Sequence, residues 1–181
     1  MSAPAAHVHD RVTRRLHWLN AVLAVVTVLL ALCLLGAPRH GEARGWFLTL
    51  HGSCGIAILV LTLFWVGWRL RHRSPPLRPT LRRSEALLAR ATQIAILFLL
   101  IAMPVTGYVS LAAAGKPVSL LGVVTLPTLM PESGRLSQAA IALHLLGEFL
   151  VYGLVALHVA AALIHGFVRR DGILERMLPK I

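Results

Sequence analysis

The sequence predicts an all-α integral membrane protein, a four-helix bundle with both termini in the cytoplasm. The first observation behind this prediction is composition. Of the 181 residues, 57% are hydrophobic and the mean hydropathy is +0.74, so the chain has too little charge for a soluble domain of its length. The second is a set of four apolar runs, each near or above the roughly 20 residues that a helix needs to cross a bilayer. They are residues 16–35, 46–68, 87–113 and 136–168, and we interpret residues 1–181 as one membrane domain.

The distribution of basic residues predicts the orientation. Fourteen of the 18 lysines and arginines flank the runs on one side, and four lie in the alternate loops. Since positive loops stay inside, the crowded side is cytoplasmic. We expect the membrane to be the inner (plasma) membrane. The same distribution argues against a nucleic-acid partner despite the net charge of +11. The crowded side holds Arg11, Arg14, Arg15, Arg69, Arg71, Arg73, Arg78, Arg82, Arg83, Arg90, Arg169, Arg170, Arg176 and Lys180, and the other side holds Arg39, Arg44, Lys116 and Arg135.

Breaks in the pattern set the ends of the helices. Gly36 and Pro38 predict the end of the first span. Pro104 lacks a backbone donor, so we expect it to kink or end the outer part of the third span. The loop at 115–134 is rich in Gly and Pro and is expected to cap the outer surface. After the fourth span, residues 173–178 suit a short helix at the membrane interface.

The fourth span carries His144 and His158, fourteen residues apart. Fourteen residues are close to four helical turns, so both imidazoles project from nearly the same face, about 21 Å apart. An ionisable side chain inside a membrane is costly and therefore a candidate functional residue. The predicted orientation matches each one in depth with a histidine on another span: His51 with His144 on the outer side, and His17 with His158 on the inner side.

Two imidazoles from facing helices form the axial ligand set of a low-spin b-type haem, and Ala140, Gly147, Gly153 and Ala161 offer room for a porphyrin. Zinc is a weaker alternative because it generally takes three or four protein ligands. Cys33 and Cys54 lie within spans and no Cys-x-x-Cys-His motif occurs, which excludes covalently attached haem. The sequence therefore predicts two non-covalent haem sites.

Two further polar residues of the fourth span have open roles. His165 lies seven residues past His158, on almost the same face, and is a possible quinone-site residue, an alternative ligand or a solvated interface residue. Glu148 lies one turn from His144 and is either a neutral, hydrogen-bonded acid or a partner of the outer haem site.

Five stretches, taken together in order and spacing, resemble the prokaryotic cytochrome b561 family over about residues 10–180. They are HWL at 17–19, LHGSCGI at 50–56, MPVTG at 103–107, LHVAAALIH at 157–165 and VRRDGILERMLP at 168–179. The resemblance implies two haems b held by His17, His51, His144 and His158, and ubiquinone or another membrane quinone as a redox partner. Some members of that family are described as oxidising superoxide at the outer face and reducing ubiquinone. Glu148 is not part of the family pattern.

Three function classes remain open on the sequence. The first is a quinone-linked oxidoreductase, a dihaem cytochrome with a small or protein electron donor and possible action on superoxide. The second is a haem-bearing membrane anchor for a separate dehydrogenase or hydrogenase. The third is a transporter or structural protein with incidental histidines.

Overall fold

Four long helices dominate the computed structural model, which describes residues 9–72 and 81–178. They are α1 (Arg11–Gly36), α2 (Glu42–Arg71), α3 (Arg83–Ala112) and α4 (Gly134–Leu163), and all four are long and apolar enough to cross a membrane. The predicted spans lie within them, except for the last residue of the third and the end of the fourth. Helices α1, α2 and α3 are longer than their apolar runs because polar turns at the ends, such as that capped by Asp10 in α1, remain helical outside the hydrocarbon core.

Helix α4 changes geometry before it ends. Residues Ile164–Arg169 form a π-helix, and Arg170 then ends the helix with a positive φ of 47°. A single turn of 3-10 helix, Leu174–Arg176, follows. The expected interfacial helix at 173–178 is therefore wrong in extent, since only this turn is helical.

Helix α3 runs through Pro104 without interruption to Ala112. Of the two expectations for Pro104, an end of the span there is wrong, and a kink stays a prediction. The Thr106 hydroxyl donates to the Ala102 and Met103 carbonyls, at 2.9 and 3.0 Å, on the helical turn that contains the proline.

The loop after α3 contains a small β-hairpin that an all-α prediction omits. Strands β1 (Ser119–Leu120) and β2 (Val124–Thr125) pair antiparallel, with Ser119 opposite Thr125. The Leu121 N–H donates to Ser53 Oγ of α2 at 2.9 Å, which ties the hairpin to that helix. The hairpin thus covers α2 two residues from His51, as expected of a cap.

The packing is that of a protein surrounded by lipid. Large apolar side chains point outward, including Leu29, Phe98 and Phe149, which are 55%, 67% and 72% exposed. The interior instead contains small and weakly polar groups. Thr62 is completely buried and its hydroxyl lies 3.4 Å from Asn20 Oδ1, which joins α2 to α1. Helix α1 packs mainly on α2 and α3 mainly on α4, with α2 and α3 in contact between them.

Both ends of the described chain lie at the same end of the bundle. The His9 N–H donates to the Arg176 carbonyl at 3.3 Å. Arg14 Nη1 donates to the Leu178 carbonyl at 2.7 Å, and Trp18 Nε1 donates to the Met177 carbonyl at 2.8 Å. The segment after α4 therefore crosses the start of α1. Arg73, Arg78 and Lys180, which contributed to the charge count, lie outside the described residues.

Candidate haem sites

The structure brings His51 of α2 next to His144 of α4. Their ring centroids are 6.1 Å apart. Each Nδ1 lies 3.0 Å from a backbone carbonyl, that of Thr27 for His51 and that of Met103 for His144. An Nδ1–H that donates to a carbonyl leaves the lone pair on Nε2, so Nε2 is the nitrogen available to ligate a metal. We call these two residues the outer pair.

Helix α3 is shaped around His144. A Cβ on Gly107 would lie only 3.2 Å from Cε1 of His144, so the glycine allows the imidazole to approach the helix. Thr106 Oγ1 lies 3.2 Å from His144 Nδ1, beside the Met103 carbonyl. The MPVTG stretch therefore fixes the position and tautomer of His144, a role that its sequence alone did not reveal.

His17 of α1 lies next to His158 of α4, with ring centroids 6.2 Å apart. We call them the inner pair. Two indoles meet the His17 ring edge-on, Trp18 at 5.5 Å and Trp65 at 6.1 Å between centroids. The structure thus brings together His17 with His158, and not with His165.

The separations within both pairs suit one metal ion between two imidazoles. An imidazole nitrogen lies about 2 Å from a metal that it ligates, so two opposed ligand rings have centroids about 6 Å apart. The observed 6.1 and 6.2 Å agree with this value. The two sites lie about 21 Å apart along α4, from fourteen residues at 1.5 Å each.

Zinc fits these sites less well than a haem iron. Within residues 9–72 and 81–178, no group of three or more His, Cys, Asp or Glu side chains is arranged to hold a metal ion. Each pair therefore offers two ligands, which matches the two axial positions that a porphyrin leaves on its iron. Cys33 and Cys54 are both free thiols.

The small residues expected to make room for a porphyrin do not all do so. Gly147 is buried, and a Cβ there would collide with Met103 Sδ, so this glycine serves the contact between α4 and α3. Gly153 has open space around its Cα. The expectation for Gly147 was wrong because its residue type does not reveal whether a helix or a ligand approaches it.

His165 lies in the π-helix, and its Nδ1 is 2.6 Å from Asp171 Oδ2. Both side chains are 16% exposed, so His165 is not a solvated interface residue. The other carboxylate oxygen of Asp171 accepts the Ile173 N–H at 3.1 Å. Burial by itself raises the pKa of Asp171, but the hydrogen bonds from His165 and Ile173 outweigh it and hold that pKa below its usual value.

Glu148 accepts a hydrogen bond from the Tyr152 hydroxyl, one turn further along α4. The structure therefore supports the reading of Glu148 as a hydrogen-bonded acid, with Tyr152 as its partner. The roles of Thr27, Thr106 and Asp171 were also missed on the sequence, because each depends on a contact between segments that are distant in the chain.

Comparison with known proteins agrees with this geometry. The family model described as prokaryotic cytochrome b561 matches residues 8–180. The chain is 32% identical over 167 residues to cytochrome b561 homolog 2 of Escherichia coli, covering 91% of this chain and 87% of that protein. It is 34% identical over 166 residues to the probable superoxide oxidase CybB of Yersinia pestis, covering 91% and 92%. This chain therefore belongs to the prokaryotic cytochrome b561 family, whose members are multi-pass membrane proteins that bind b-type haem and transfer electrons.

Proposed function

We propose that this protein is a dihaem cytochrome of the inner membrane that takes electrons from superoxide at the outer face and delivers them to a quinone near the inner face. The observation that carries the proposal is the presence of two histidine pairs on facing helices, with ring centroids 6.1 and 6.2 Å apart. One haem in each pair would provide two redox centres across the bilayer.

In this proposal His51 and His144 ligate the outer haem iron and His17 and His158 ligate the inner one. Bound haem iron supplies one-electron chemistry by cycling between its ferrous and ferric states. The protein contributes ligand orientation, because the carbonyls of Thr27 and Met103 hold the Nδ1 atoms of the outer pair. These hydrogen bonds also increase the basicity of the imidazoles and so tune the potential of the outer site.

Superoxide is proposed as the electron donor because CybB of Yersinia pestis, 34% identical, is named a probable superoxide oxidase. Each superoxide anion would give up one electron and leave as O₂. The outer loops carry four basic residues against Glu42 and Glu132 and would attract an anion. Arg44 also has a structural role, since its Nη1 donates to the Leu34 carbonyl at 2.6 Å and is half-buried.

The quinone is proposed to bind beside His165. One quinone would accept two electrons, from two superoxide anions, and two protons from the cytoplasm to become a quinol. Asp171 holds His165 Nδ1 at 2.6 Å, which leaves the Nε2 lone pair to accept a hydrogen bond from a hydroxyl of the quinol product. The π-helix supports this proposal, because such turns are frequent at functional sites.

The role of His165 can be tested by replacing it. We expect His165→Ala to retain the haem content of the wild type but to exchange electrons with quinone more slowly, as measured by mixing reduced protein with a soluble quinone. Loss of a haem would show that His165 is a ligand instead. Unchanged quinone kinetics would rule out the proposed quinone site.

Stopped-flow mixing with superoxide tests the overall function. Absorption changes of reduced haem should appear rapidly on mixing and should reverse when quinone is added. The rate should fall as ionic strength rises, since salt screens attraction to the basic outer loops. If quinol reduces the haems but superoxide does not, the superoxide assignment is wrong. Co-purification of a dehydrogenase subunit in that case would favour the alternative, a haem-bearing membrane anchor.

A further inference from the structure

Two buried nitrogen atoms stand out in the described part of the chain. Arg14 Nε and Trp65 Nε1 are the buried side-chain polar atoms there that have no hydrogen-bond partner. Trp65 as a whole is only 8% exposed. Buried donors are nearly always paired in folded proteins, because an unpaired one retains its desolvation cost. Two such donors therefore indicate a missing acceptor.

Both donors flank His17 of the inner pair. The Trp65 indole meets the His17 imidazole edge-on, with centroids 6.1 Å apart. Arg14 lies three residues before His17 on α1, so it is a neighbour on the same side of the helix. Its Nη1 is already bound to the Leu178 carbonyl, which fixes the guanidinium in place and leaves Nε as the unpaired atom.

The surroundings of these donors are positively charged. The Arg69 guanidinium carbon lies 5.8 Å from the centroid of the Trp65 ring, and Arg176 is only 7% exposed. The pKa of nearby His9 is lowered, first by burial and then by the charges of Arg176, Arg69 and Arg14, against the opposing charge of Asp10. Asp10 is itself engaged, because its carboxylate accepts hydrogen bonds from Thr13 and Trp68. The missing acceptor is therefore expected to be anionic.

We propose that Trp65 Nε1 and Arg14 Nε bind the propionate carboxylates of the inner haem, which thus point toward the end of the bundle where the termini meet. This inference rests on the proposed haem at the inner pair and adds the residues that receive its acidic groups. A carboxylate suits the site better than a quinone carbonyl. Its negative charge is attracted to the surrounding arginines, and charge-assisted hydrogen bonds are stronger than those to a neutral oxygen. The segment after α4 would then help to hold the haem, because the Leu178 carbonyl fixes Arg14.

The test removes the indole N–H and keeps an aromatic side chain at position 65, with a phenyl ring in place of the larger indole. Trp65→Phe should release one of the bound haems to an acceptor protein about tenfold faster or more, the size expected for one hydrogen bond to a charged group. Trp46→Phe is the control for the loss of an indole. Trp46 is 59% exposed and lies at the start of α2, away from the inner pair. The control should therefore leave the release rate close to that of the wild type.

Haem dimethyl ester, in which both propionates are blocked, makes the test specific. With this haem the difference between Trp65→Phe and wild type should disappear. The propionate bending mode in the resonance Raman spectrum should also shift in Trp65→Phe with native haem. A release rate and a Raman mode unchanged by Trp65→Phe would overturn the inference, as would an equal effect of the substitution on both haems. Since haem content is measured in the same samples, a failure of the haem proposal itself would be recognised separately.

Discussion

At the scale of single residues, the histidines of the outer pair are set apart by what holds them. Nδ1 of each lies at hydrogen-bond distance from a backbone carbonyl of a neighbouring helix. This contact orients the ring and leaves the Nε2 lone pair available to a metal. His72 illustrates the contrast. The His72 ring is exposed and stacks on the Trp68 indole, and its Nδ1 lies 3.0 Å from the Trp68 carbonyl of the same helix turn. Residue type alone does not distinguish an oriented histidine from an exposed one. The distinction lies in whether the hydrogen-bonded carbonyl belongs to another helix or to the residue's own helix.

Replacing His144 should empty the outer site alone. We expect His144→Ala to contain one haem where the wild type contains two, because His17 and His158 are about 21 Å away along the bundle. Pyridine haemochrome analysis per mole of protein measures this. His40→Ala, an exposed histidine on the outer side, is the control and should keep the wild-type content. Loss of both haems in His144→Ala would contradict independent sites.

At the scale of elements, α3 contributes no histidine and yet shapes the outer site. Its Met103 carbonyl, Thr106 hydroxyl and Gly107 backbone all face His144. Because α3 continues past Pro104, all three of these groups lie on one unbroken helix.

Gly107→Ala should therefore disturb the outer haem specifically. The added Cβ would lie 3.2 Å from His144 Cε1, so the ring must shift by a few tenths of an ångström. Overpacking of this kind costs about 1–3 kcal/mol, so we expect the outer haem to be released about tenfold faster. Gly67→Ala, where a Cβ meets nothing within 4 Å, is the control on α2. Equal release rates for the two variants would show that His144 does not depend on this glycine.

The sequence predicted the helices well and their irregular parts poorly. Apolar runs of membrane length leave little alternative to helices, because every backbone group in lipid must be paired internally. The hairpin formed by β1 and β2 and the π-helix at Ile164–Arg169 are short and depend on tertiary contacts, such as that of Leu121 with Ser53. The pairing of histidines followed from helix periodicity and orientation. The contacts of Thr27, Asp171 and Trp65 could not be predicted in this way, because each depends on tertiary packing and not on a periodic pattern within one helix.

At the scale of the whole molecule, the two ends of the described chain meet beneath the inner pair. The contacts of Arg14 and Trp18 with the segment after α4 close that end of the bundle. The opposite end is covered by the hairpin over α2. Each pair thus lies nearer to a different face, as transfer of electrons across a membrane requires.

The orientation of the bundle is a separate prediction. With fourteen of the 18 basic residues on the side of the termini, we expect a reporter fused after Ile181 to be cytoplasmic. A fluorescent protein fused there should be bright, and an alkaline phosphatase fusion should be inactive. Strong phosphatase activity would reverse the assignment of the inner and outer pairs while leaving their geometry unchanged.

The haem content of the purified wild-type protein tests the central claim most directly. Pyridine haemochrome analysis, combined with a quantitative protein assay, should give two non-covalent haems b per chain, because the two histidine pairs have equivalent separations of 6.1 and 6.2 Å. A content of one haem per chain, or none, in protein supplied with excess haem during expression would contradict the two-site account.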